Sequence, residues 1–118
     1  MSLTYHQKLA RVLDAMGGVY LVDDLLTRIN DGRMQSFTCN NSWAITEVQD
    51  FPRGRKMQIV ALVGDLADGE ALHEKVMSYA DEVNAGLVET HGRKGWLRHA
   101  LEHGWRVKAK NFIYQKAL

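Results

Sequence analysis

The chain has one cysteine, Cys39, and one proline, Pro52, in 118 residues. A lone cysteine cannot close an internal disulfide, so the expected setting is a reducing, cytoplasmic compartment. With a single proline and no low-complexity run, the sequence argues against disorder or a long linker. No apolar stretch approaches the roughly 20 residues that a bilayer-spanning helix needs, so no membrane partner is expected. Residues Met1 to His6 lack the basic and apolar regions of a signal peptide. Neither Cys-x-x-Cys nor His-Glu-x-x-His occurs, and no serine or cysteine lies near a histidine in a pattern suggesting a nucleophile.

What is present fits one ordinary globular domain spanning residues 1–118. Hydrophobic residues make up 46% and charged residues 25%, enough apolar surface to bury a sizeable core. The net charge is only +1, but it is unevenly spread. Residues 1–90 hold eight Lys/Arg and thirteen Asp/Glu, a net of −5, while residues 91–118 hold seven and one, a net of +6. Such asymmetry either marks an anion-binding face or reflects oppositely charged faces of one domain.

Apolar spacing divides the chain into elements. Leu9, Val12, Leu13 and Met16 recur at helical intervals after Thr4, a suitable N-cap, and Gly17-Gly18 ends that helix. A second helix is predicted from about Leu21 to Asp31, with Asp23 and Asp24 in its first turn. Adjacent helical residues do not face each other, so this acidic pair suits the helix dipole better than a metal or an acid–base role. Met34–Cys39 and Trp43–Gln49 read as strands around an Asn40-Asn41-Ser42 turn. Residues 50–56 read as a hairpin loop whose Arg53, Arg55 and Lys56 form a solvated tip. Met57–Val63 is nearly all apolar, as befits a central strand buried on both faces. Asp68 is the predicted N-cap of a long helix with Leu72, Val76, Tyr79, Ala80 and Val83 on its buried side.

The organising stretch is Ala85–Asn111. It reads as strand (Gly86–Thr90), turn (His91-Gly92-Arg93-Lys94-Gly95), short helix, Gly104, and a strand starting at Trp105; a last strand covers Asn111–Leu118. The order is therefore ααβββαβαββ. An α+β (mixed α/β) fold follows, with helices on both faces of a central mixed sheet that contains at least one parallel pair.

That order, with Gly104-Trp105 where a Gly-Phe is usual, resembles the Gcn5-related N-acetyltransferase (GNAT) fold, most strongly over residues 57–116. The run Gly92-Arg93-Lys94-Gly95-Trp96 is further similar to small GNAT-like proteins of tailed bacteriophages. The resemblance implies a cofactor loop after the central strand whose backbone N–H groups hold the acetyl-CoA phosphates. Here the residual loop is Val63-Gly64-Asp65 and continues to Gly69-Glu70. It has too few glycines and no arginine, and Asp65, Asp68 and Glu70 would repel a polyanion. The family's tyrosine acid would fall at Ala100, and Met57–Val63 supplies no glutamate base, leaving Glu47 as the one substitute. These departures imply a fold kept without its chemistry, with no catalytic residue and no bound cofactor.

His99 and His103 share a helix face near His91, but a zinc site needs further ligands, so no metal is expected. Gly92, Arg93, Lys94, Gly95 and Arg98, with Arg106, Lys108 and Lys110 at period two, make a basic constellation. It would suit an acidic protein surface, the phosphates of a nucleic acid, or a vestigial CoA site. The expected function is a catalytically silent GNAT-like interaction protein, associated with phage virion or assembly proteins. The alternatives are an active, acetyl-CoA-dependent N-acetyltransferase and a nucleic-acid-binding module.

Overall fold

The computed structural model describes residues 5–15, 17–90, 102, 104 and 105. The described elements run α1 (Tyr5–Ala15), α2 (Val22–Asn30), β1 (Gln35–Cys39), β2 (Ser42–Phe51), β3 (Gly54–Val63), a single 3-10 turn (Leu66–Asp68), α3 (Gly69–Glu82) and β4 (Leu87–Thr90). The order reproduces the first seven elements expected. The predicted helix after residue 95 and the last two strands lie outside the described residues, apart from Glu102, Gly104 and Trp105.

Helix boundaries follow local chemistry. At α1, the Gly18 N–H donates to the Leu13 carbonyl (3.0 Å). Gly17 and Gly18 take φ of 103° and 66°, where side-chain-bearing residues are strained. Leu21 precedes α2 and cannot cap with its own side chain. Instead, Asp24 accepts the Leu21 N–H through Oδ2 at 2.8 Å, so this acidic residue serves the helix start as expected. Asn84 in left-handed geometry closes α3 (φ 59°), while the Ala85 N–H returns to the Ala80 carbonyl at 2.9 Å.

The four described strands lie in the order β1-β2-β3-β4. β1/β2 and β2/β3 are antiparallel, and β3/β4 is parallel, with Met57 opposite Val88. The expected seven-residue loop at 50–56 is corrected. β2 runs to Phe51 and β3 starts at Gly54, so only Pro52 and Arg53 connect them. The tip, Phe51 to Arg55, is exposed as expected, but Arg55 and Lys56 are bonded there. Arg55 Nε donates to Asp50 Oδ1 (2.6 Å), Arg55 NH1 to the Val83 carbonyl (2.7 Å), and Lys56 pairs with Glu89 (2.9 Å).

A β-bulge in β3 organises the core. Ile45 faces Ala61 and Thr46 faces Ile59, which leaves Val60 as the extra residue. Before the bulge, Met57 and Ile59 pack with Leu72, Val76 and Ala80 of α3; after it, Ala61 and Val63 pack with Leu9, Leu13 and Leu25 of α1 and α2. The extra residue swaps the faces to which alternate side chains point, so one strand serves both halves of the core. Gly104 has φ 84°, and the Trp105 indole N–H donates to His73 Nε2 (2.8 Å) while the ring packs on the α3 cluster. In urea titrations, Leu72→Ala (2% exposed) should cost about 2–5 kcal/mol. Leu87→Ala (46% exposed) should change stability by roughly 0.5 kcal/mol or less.

Candidate functional site

The end of β3 is the first place where chemistry concentrates. Val63 is buried, Gly64 has φ 131°, and Asp65 is exposed. A Cβ on Gly64 would lie 2.2 Å from Ser42 Oγ and 2.5 Å from Ser42 Cα. Only glycine lets the two backbones approach this closely. Ser42 Oγ accepts the Asp65 N–H (2.9 Å) and donates to Asp68 Oδ2 (2.8 Å). Asn40 Nδ2 donates to Asp68 Oδ1 (2.9 Å). The β1–β2 turn is thus fastened to the loop that starts α3.

The role predicted for Asp68 is corrected here. It occupies the N-cap position, but its side chain makes no capping bond. Its backbone is already helix-like, with φ −88° and ψ −6°, whereas a capping residue sits in extended geometry. The carboxylate turns instead to Asn40 and Ser42. These side-chain donors, with a further bond from the Asn41 backbone, outweigh desolvation and lower its pKa. Asp68 is therefore negative at neutral pH although only 9% exposed. Asp65 and Glu70 lie exposed beside it.

The second place is a polar row on the sheet face shared with α1 and α2. Glu47 is 3.7 Å from Arg28 of α2 and accepts Gln49 Nε2 through Oε1 at 2.7 Å. Gln49 also donates to Gln58 Oε1 (3.2 Å), and the Arg28 guanidinium lies 5.2 Å from the Tyr20 ring centroid. Glu47, the one glutamate that sequence spacing offered as a base, is thus a partly buried carboxylate on a rigid strand.

The described structure says nothing of where the basic constellation sits relative to these two places. Gly92, Arg93, Lys94, Gly95, Arg98, Arg106, Lys108 and Lys110 lie outside the described residues, as do Ala100, His91, His99 and His103. Among the described residues, no cluster of three or more His, Cys, Asp or Glu is placed to hold a metal ion. Among them too, no helix is long and apolar enough to cross a membrane. Asn40 and Ser42 were missed as site residues. Their only sequence signal was turn propensity, since the carboxylate they hold is 26 and 28 positions away.

The architecture is GNAT-like, and solved structures of that class share it. A GCN5-related N-acetyltransferase from Ralstonia eutropha JMP134 has a TM-score of 0.67 at 17% identity, covering 81% of this chain and 72% of that one. An acetyltransferase from Trypanosoma brucei has a TM-score of 0.60 at 17% identity, covering 98% and 97%. A predicted acetyltransferase with acetyl-CoA from Clostridium acetobutylicum has a TM-score of 0.65 at 12% identity, covering 91% and 87%. At such identities the likeness is one of fold. No protein-family model matches the chain, and no curated protein sequence does.

The Gly64–Ser42 contact makes a sharp prediction. Gly64→Ala should lose about 3 kcal/mol or more, because a left-handed backbone and a collision with a neighbouring strand must both be relieved. Asp68 sets a pH dependence. Its folded pKa is lowered, so its contribution is complete above the ordinary aspartate value of about 3.9. That contribution is lost as pH falls through the folded value. Asp68→Asn should therefore show a shallower loss of stability below about pH 4 than the parent chain, measured by urea titration across pH.

Proposed function

We propose that this chain is a GNAT-fold domain that does not transfer acetyl groups from acetyl-CoA and acts by binding other proteins. The observation that carries this is the ionised Asp68, held by Asn40 and Ser42 at the start of α3. A helix start favours a nearby negative charge by about 0.3–1 kcal/mol. Two like unit charges 4 Å apart oppose each other by about 4 kcal/mol near a protein surface. Asp65, Asp68 and Glu70 thus reverse the sign of a position that a diphosphate would need to be favourable. On this reading the residues at the start of α3 do not fit that cofactor.

The setting we infer is a tailed-phage protein that works with virion or assembly proteins. Its support is the Gly92-Arg93-Lys94-Gly95-Trp96 run and the basic 91–118 segment, net +6, attached to a body of net −5. A cationic segment of this kind suits an acidic protein partner.

One observation favours the rival, an active acetyltransferase. Glu47 is fixed on β2 by Gln49 and lies near Arg28, as a carboxylate base on a rigid scaffold would be. Calorimetric titration of the full chain with acetyl-CoA separates the two. The proposal expects no saturable heat up to about millimolar ligand, a limit of roughly −4 kcal/mol. Micromolar binding that weakens at least tenfold in Arg93→Ala would overturn it and favour the transferase.

A further inference from the structure

Among the described residues, β1 is the end strand of the sheet. Its five residues, Gln-Ser-Phe-Thr-Cys, include no charge and no proline, two devices that commonly stop edge strands from pairing. Only Asn40 and Asn41 separate β1 from β2, and Cys39 stands opposite Ser42. Residues flanking a two-residue turn exchange both backbone bonds, and the pattern then alternates. Gln35, Phe37 and Cys39 accordingly bond inward to β2. The N–H and C=O groups of Ser36 and Thr38 point off the sheet. An independent contact fixes that direction: Lys75 Nζ, from α3, donates to the Thr38 carbonyl at 2.7 Å. Both Ser36 and Thr38 are exposed.

We propose that Lys75 guards a strand-pairing edge, and that the partner this edge fits is the same edge of a second copy of the chain. An antiparallel dimer centred on Phe37 sets Ser36 of each copy opposite Thr38 of the other. It forms about four backbone hydrogen bonds, half of them to Thr38 carbonyls. Each of those carbonyls is held by an ammonium that must leave before the strands meet. The same register brings the two Phe37 side chains together on the face where each already packs near Tyr79, with ring centroids 5.5 Å apart. An uncharged strand that is otherwise ready to pair is kept single by a lysine reaching over from the neighbouring helix. This edge is remote in kind from acetyl transfer and does not depend on whether the chain is an enzyme.

Sedimentation equilibrium of the full chain tests the assignment with Lys75→Ala and the double variant Lys75→Ala/Ser36→Pro. Lys75 is exposed, and alanine suits a helix, so the single variant should fold. The Ser36 N–H is not needed by β2, so proline there removes only an outward donor; circular dichroism confirms that both variants are folded. Lys75→Ala should tighten self-association at least tenfold over the parent chain, and adding Ser36→Pro should restore the parent's behaviour. Lys75→Ala associating no more tightly than the parent overturns the proposal. Association that survives Ser36→Pro also overturns it, because it would then use another surface.

Discussion

The contact between Ser42 and Gly64 is the constraint on which the described structure turns. It brings the start of β2 against the end of β3 with no room for a Cβ. It places the Ser42 hydroxyl between the Asp65 N–H and the Asp68 carboxylate. From that point three segments are fixed: the β1–β2 turn through Asn40, the end of the central strand, and the start of α3. Asp68 accepts bonds there from Asn40 and Ser42, which favour its charged form and lower its pKa.

The central strand meets this constraint through an irregularity. Without the extra residue at Val60, the alternation that points Met57 and Ile59 at α3 would continue through Ala61 and Val63. The bulge turns Ala61 and Val63 towards α1 and α2, so the helical layers on both faces draw on one ten-residue strand. Each core then depends on the same backbone, and a disturbance at Gly64 reaches both. At the opposite end of β3, Arg55 joins the β2–β3 hairpin to the close of α3 through Asp50 and the Val83 carbonyl.

Particular residues show why some of this was legible in the sequence. Met57–Val63 announced a buried central strand because few alternatives accommodate seven such residues in a row. Asp23 and Asp24 could be placed at a helix start from local sequence alone, whereas the bond from the Leu21 N–H to Asp24 was not foreseen. The hairpin at Pro52 was misjudged because charged residues suggest a loop when their partners are unknown. Arg55 and Lys56 are strand residues whose charges are met by Asp50, directly opposite, and by Glu89, diagonally placed on β4. Asp68 was located correctly and its partner was not, since Asn40 and Ser42 come from another hairpin. No glycine marks the bulge at Val60, so nothing local signalled it. At the site, the acidity of the α3 start was visible, whereas what holds that charge in place required the tertiary structure.

The central claim is that Asp68 remains ionised within the folded chain. Following the Asp68 side-chain carboxyl by carbon-detected NMR from pH 7 downwards tests it most directly. The account predicts a midpoint below the ordinary aspartate value of about 3.9, in line with the donors from Asn40, Ser42 and the Asn41 backbone. A midpoint at or above that value, in a chain shown to be folded by its other resonances, would contradict it.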